Sequence, residues 1–87
     1  MYAKDVTVQN QVGLRARPAT FFTQKANEYK CSIWIEKEER RVNAKSLLGV
    51  LSLGVASGET VRIIADGNGE QEAADALCQL ISSEFAG

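Results

Sequence analysis

Histidine is absent from all 87 residues of this chain. With it goes the side chain that ordinarily titrates near neutral pH, and so the usual imidazole nucleophile, general base and zinc ligand. Cysteine is scarce: Cys31 and Cys78 lie far apart and form no C-x-x-C pair. The expectation is two free thiols packed as small apolar groups, with no metal site and no redox role. Proline occurs once, at Pro18. No apolar run approaches the roughly 18 residues of a membrane span. The opening Met1-Tyr2-Ala3-Lys4-Asp5 lacks the pattern of a signal peptide, so a cytoplasmic protein is expected. A formal net charge of -1 creates no general field to gather nucleic acid or an anionic membrane. No nucleophile–base pair and no paired carboxylates stand out, which argues against an enzyme and against any cofactor.

What the chain does have is an apolar content of 45%, ordinary for a globular protein. Its length suits one domain over residues 1–87 with a modest core. Tyr2, Val6 and Val8 share one parity, which predicts a first strand over Tyr2 to Val8. A helix is predicted from about Ala16 to Tyr29, with Pro18 in its first turn and Ala19, Phe22, Thr23 and Ala26 as its apolar stripe. Cys31, Ile33 and Ile35 alternate along a second strand ending at Glu36. Lys37-Glu38-Glu39-Arg40 reads as a solvated hairpin tip into a short third strand ending near Val42. Ser46 is a natural N-cap for a short helix over Leu47 to Leu53. Val61, Ile63 and Ala65 face one way in a strand from Thr60 to Asp66. After the break at Asp66-Gly67-Asn68-Gly69, a last helix is predicted from about Glu70 to Glu84, with Ala74, Leu77, Cys78 and Ile81 inward. The order β-α-β-β-α-β-α predicts an α+β fold, an antiparallel four-stranded sheet with helices on one face.

Two segments carry chemistry beyond folding. Gly13-Leu14-Arg15-Ala16-Arg17-Pro18-Ala19 feeds a helix N-terminus, where free amides and the helix dipole favour an anion and two guanidinium groups suit phosphate or carboxylate. Read plainly, Arg15 and Arg17 are also simply solvated turn residues. In Asn43-Ala44-Lys45-Ser46-Leu47-Leu48-Gly49, Ser46 stands before a helix that is apolar nearly all round. So short a helix cannot bury Leu47, Leu48, Val50, Leu51 and Leu53 together, so apolar surface is expected to remain beside a serine that can be phosphorylated.

Those two segments, with the element order, resemble the HPr family, the small phosphocarriers of the bacterial sugar phosphotransferase system, over essentially the whole chain. The resemblance implies an open-faced sandwich of four strands and three helices. In that family the third place of the first segment is the histidine that accepts phosphate, and here it is Arg15. A guanidinium stays protonated and is a poor nucleophile. In Gram-positive members the serine matching Ser46 is phosphorylated by the ATP-dependent HPr kinase/phosphorylase. The product is corepressor for a LacI-type regulator of carbon catabolite repression. Residues matching Leu47, Leu48 and Leu51, with those matching Ala16, Arg17 and Thr20, form its apolar partner surface. One branch, Crh, keeps the serine and has glutamine instead of the histidine. The present chain is similar in logic, with a cation in place of a neutral amide. The resemblance thus implies a regulatory, non-enzymatic protein controlled at Ser46, monomeric or dimeric by exchange of its first strand. Two alternatives stay open: an ordinary phosphocarrier whose histidine has been replaced, and a fold-only interaction domain.

Overall fold

Alternating apolar residues place four strands edge to edge in the computed structural model, which describes residues 1–83. The strands are β1 (Tyr2–Thr7), β2 (Ser32–Lys37), β3 (Arg40–Asn43) and β4 (Thr60–Asp66). They form one sheet in the order β1-β4-β2-β3, and every neighbouring pair is antiparallel. The helices are α1 (Ala16–Ala26), α2 (Leu47–Ser52) and α3 (Glu70–Ser82). Ile33 and Ile35 of β2, with Val61, Ile63 and Ala65 of β4, meet Phe22, Val50, Leu77 and Ile81 of the helices in one buried cluster. The expected stripe of α1 is buried in full, as are Ala74, Leu77, Cys78 and Ile81 of α3.

The face without helices is polar by design of the register. Asp5 lies opposite Arg62, Arg62 opposite Glu36, and Glu36 opposite Arg41. Charges therefore alternate in one row across all four strands. Arg62 Nε donates to Asp5 Oδ1 at 2.8 Å, and Arg41 Nε donates to Glu36 Oε1 at 3.2 Å. Opposite charges directly across strands favour this pairing over shifted ones. Ala3, Ile64 and Trp34 form an apolar row on that face, in which Ile64 is 2% exposed.

Several element ends differ from expectation: β2 runs Ser32–Lys37 where Cys31 to Glu36 is expected, and α2 ends at Ser52, one residue short of Leu53. Strand β1 stops at Thr7, although the Val8 N–H still donates to the Glu59 carbonyl at 2.9 Å. Helix α1 ends at Ala26, short of Tyr29, because the Asn27 side-chain amide donates to the carbonyls of Thr23 (2.8 Å) and Lys45 (3.2 Å). That amide ties the helix end to the segment before α2. The expected end of the last helix at Glu84 lies outside the described residues, and α3 runs to Ser82. The hairpin tip is a two-residue turn in which Glu38 and Glu39 both adopt positive φ (49° and 71°), the left-handed geometry that matches strand twist.

Candidate functional site

Arg15 is the N-cap residue of α1. Its backbone is extended (φ -86°, ψ -169°) and its side chain makes no capping bond. Its carbonyl accepts from the Ala19 N–H at 2.8 Å. Ala16 and Arg17 follow in the first turn, both exposed, and the Arg17 guanidinium sits 6.0 Å from the centre of the Phe21 ring. Thr20, half-buried, spends its hydroxyl proton on the Ala16 carbonyl at 2.7 Å. Among the described residues neither Arg15 nor Arg17 has an acidic partner.

Ser46 is the N-cap of α2, as its place in the sequence predicts. Its Oγ accepts from the Gly49 N–H at 3.1 Å, and its carbonyl accepts from Val50 at 3.0 Å. The chain is led into this cap by Asn43, whose Oδ1 accepts from the Lys45 N–H at 2.9 Å. A Cβ on Gly49 would stand 3.3 Å from Ser46 Oγ, so glycine leaves this hydroxyl room. Of the apolar residues that follow, Val50 and Leu53 are buried and Leu51 is half-buried. Leu47 and Leu48 are left out, 39% and 81% exposed. The expected excess of apolar side chains on α2 is thus real, and it is concentrated at Leu48.

Helices α1 and α2 pack against each other, which sets the start of α1 beside Leu51 near the end of α2, while the segment before Ser46 meets the opposite end of α1 through Asn27 and Lys45. An open depression of roughly 810 Å³ is lined by Arg15 and Ala16 on one side and by Leu51 and the 54–57 loop on the other. The loop is held from below. Lys37 Nζ donates to the Gly54 carbonyl at 3.2 Å and pairs with Glu59 at 2.9 Å. Glu59 in turn accepts from the Ala56 N–H at 2.6 Å. That amide, then Lys37, holds the Glu59 carboxyl below its ordinary value of 4.5. Arg40 donates to the Ser52 carbonyl at 3.2 Å, which places a cation at the negative end of α2.

The sequence reading missed Val12 and Phe21, which are 53% and 44% exposed. Phe21 had a signal: it stands one residue, about 100° of rotation, off the apolar stripe of α1. Among the described residues no three His, Cys, Asp or Glu side chains gather as a metal site, and no helix is long and apolar enough to cross a membrane.

A family model described as "PTS HPr component phosphorylation site" matches residues 2–83. The chain belongs to the HPr family. Among its relatives, the HPr-like protein Crh of Halalkalibacterium halodurans is 48% identical over 84 residues, which covers 97% of this chain and 100% of the relative. The crystal structure of HPr-C-His from Thermoanaerobacter tengcongensis superimposes with a TM-score of 0.95 at 45% identity, covering 98% of this chain and 96% of that one. Crh of Bacillus subtilis, solved as a domain-swapped dimer, is 42% identical with a TM-score of 0.78, covering 97% of each chain. The open-faced sandwich that the resemblance implies is therefore the fold of this chain, and its relatives include both HPr and Crh proteins.

Proposed function

We propose that this HPr-family chain is a regulatory protein that takes phosphate on Ser46 and docks protein partners, and that it relays no phosphate through α1. The observation carrying this reading is the residue at the N-cap of α1. The Arg15 guanidinium stays protonated and is a poor phosphorus nucleophile, and no histidine exists elsewhere in the chain to replace it. The remaining acceptor that the family resemblance points to is the Ser46 hydroxyl, at a helix start whose next two residues are exposed leucines.

In this reading HPr kinase/phosphorylase transfers the terminal phosphoryl group of ATP to Ser46 Oγ. The phosphate adds about -1.5 to -2 charges at the positive end of α2, where such charge is favoured. The Gly49 N–H already points at that oxygen, so the modification fits the existing fold and changes the surface. A phosphate then borders Leu47 and Leu48, with Leu51, Ala16, Arg17 and Thr20 completing the face offered to a partner such as a LacI-type catabolite regulator. The protein acts in the cytoplasm as phosphoacceptor and docking module, without catalysis of its own. The swapped dimer of its Bacillus subtilis relative supports exchange of β1 as a second assembly state beside the monomer.

The test is incubation with the kinase and ATP, followed by mass spectrometry. A single phosphate is expected, and Ser46→Ala abolishes it. A parallel incubation with phosphoenolpyruvate and the first enzyme of the phosphotransferase system is expected to leave the mass unchanged. Phosphate gained by Ser46→Ala, or found on Arg15, defeats the proposal.

A further inference from the structure

The helix-free face of the sheet has a symmetry in its charges. Asp5, Arg62, Glu36 and Arg41 stand in one row on β1, β4, β2 and β3, with signs minus, plus, minus, plus. Read from the other edge, the row runs plus, minus, plus, minus, so it is its own complement. The side chains are 55%, 52%, 25% and 48% exposed in that order, which leaves each room for a partner beyond its ion pair within the sheet. The adjacent row is apolar at its centre, where Ile64 lies between Ala3 and Trp34. Trp34 is half-buried there, and it is the chain's one tryptophan. No described helix lies over these two rows, since the helices pack on the face that carries Ile33, Ile35, Val61 and Ile63.

We propose that this open face pairs with the same face of a second copy of the chain, about a two-fold axis along the strands between β2 and β4. That rotation lays β4 over the second copy's β2 and sets each row against itself, reversed. Arg62 then meets the second copy's Glu36, Asp5 meets its Arg41, and Trp34 covers its Ile64. Every contact occurs twice, as an isologous interface requires, and aligned sheets stack face to face about 10 Å apart. The central pairs lie beside the axis, where sheet twist displaces them least. A uniformly acidic or basic partner meets as many like charges as unlike ones and gains nothing from this row. A second copy carries the matching order by construction. The face measures roughly 20 by 20 Å, from four strands about 4.8 Å apart and six residues of about 3.3 Å. That is small for a permanent interface, so the association is weak, with a dissociation constant on the order of 0.1–1 mM. Pairing leaves Ser46 and Leu48 free on the other side, so it stands or falls apart from the phosphorylation reading. It also differs from exchange of β1, which rebuilds the same sheet and leaves Trp34 with the same neighbours.

The experiment follows the whole chain by sedimentation and by Trp34 fluorescence from about 10 μM to about 2 mM, concentrations that bracket that constant. The mean mass should rise above the 9.5 kDa of one chain while the Trp34 emission moves to shorter wavelength. Both changes should shrink in about 1 M salt, where screening acts within about 3 Å. Glu36→Lys and Arg62→Glu each set like charges across the axis, and each alone should weaken association more than tenfold. An equimolar mixture of these two variants should restore it, because Arg62 of one then meets Glu36 of the other and the new lysine meets the new glutamate. Glu72→Lys and Lys30→Glu carry the same charge changes on exposed residues of α3 and of the turn after α1. Each of that pair should associate as the parent does and gain nothing on mixing. Four results overturn the proposal: a parent that stays monomeric throughout, a dimer with unchanged Trp34 emission, undiminished association of Glu36→Lys or Arg62→Glu, or no recovery on mixing them. The second is the outcome expected of β1 exchange alone. Should either variant fail to fold, the emission and salt dependence of the parent decide the matter.

Discussion

Gly13 and Val55 lie so close that the chain has no room for a side chain between them. The Leu14 N–H donates to the Val55 carbonyl at 2.9 Å. A Cβ on Gly13 would run into that carbonyl oxygen and stand 2.9 Å from Ala56 Cα, while φ at Gly13 is +67°. This contact joins the segment leading into Arg15 to the loop forming the opposite wall. Gly13→Ala should therefore cost about 2–3 kcal/mol, combining left-handed strain with a backbone collision. In thermal melts that is a drop of about 10–20 °C. Gly54→Ala is the control: φ is +61° but a Cβ there meets nothing within 4 Å, so only the conformational cost of about 1 kcal/mol is expected. Equal losses in the two variants would show that the Gly13–Val55 approach is not close.

Ser46 has a structural role that can be separated from its proposed chemistry. Ser46→Ala removes the acceptor for the Gly49 N–H and should lower urea stability by about 1 kcal/mol. Ser46→Asp supplies a capping oxygen and a charge suited to a helix start, and should hold stability near that of the parent. Neither variant should take phosphate from the kinase. An alanine variant as stable as the parent would mean that the cap contributes nothing.

Leu48 and Leu77 are both leucines on helices, and they should respond in opposite ways. Leu77 is fully buried, and Leu77→Ala should cost about 2–5 kcal/mol in equilibrium unfolding. Leu48 is 81% exposed, so Leu48→Asp should change stability by no more than about 0.5 kcal/mol. The same variant should abolish partner binding by the Ser46-phosphorylated protein in a pull-down or calorimetric assay. Intact binding would remove Leu48 from the docking surface.

Acid should weaken the site from the loop side. The Ala56 N–H, then Lys37, lowers the Glu59 carboxyl below its ordinary 4.5, and Arg62 likewise lowers Asp5 below 3.8. A carboxyl lowered in the folded state stabilises it above the unfolded value, and that contribution is lost as pH falls through the folded value. Melting temperature should thus be level near neutrality and decline below about pH 4.5. Glu59→Gln should flatten part of that decline, since it removes one of the titrating groups. An unchanged acid limb in the variant would exclude Glu59 as a contributor.

Burial pushes the Cys78 thiol up to about 11, so it stays protonated through the neutral range and sits 4% exposed beneath β1. A thiol reagent at pH 8 should label Cys78 only at the rate at which the protein opens, and labelling should rise together with urea unfolding. Rapid labelling of the native protein at Cys78 would contradict its burial.

Much of this molecule could be read from local pattern. The stripe Ala19, Phe22, Thr23 and Ala26 is spaced for one helix face, and it is the buried face. Ser46 precedes an apolar run, and it caps α2. The limits of local reading are equally specific. Helix α1 stops early because Asn27 bonds to Lys45, a residue 18 positions away. Ile64 breaks the inward–outward rule of β4 because Trp34 and Ala3 flank it on neighbouring strands. The periodic pattern of α1 is satisfied by Phe22, and it contains no sign that the adjacent Phe21 stays 44% exposed.

Residue order alone determined the element sequence, the Ser46 cap of α2 and the loss of an imidazole at the α1 start, because these depend on side-chain chemistry and spacings of a few residues. Only the folded structure decided that Arg15 and Leu51 share one depression, that its far wall is braced by Lys37 and Glu59, and that a row of alternating charges crosses the open sheet. Each of those joins segments distant along the chain, and such pairings are fixed by strand register and helix packing, which no local spacing contains.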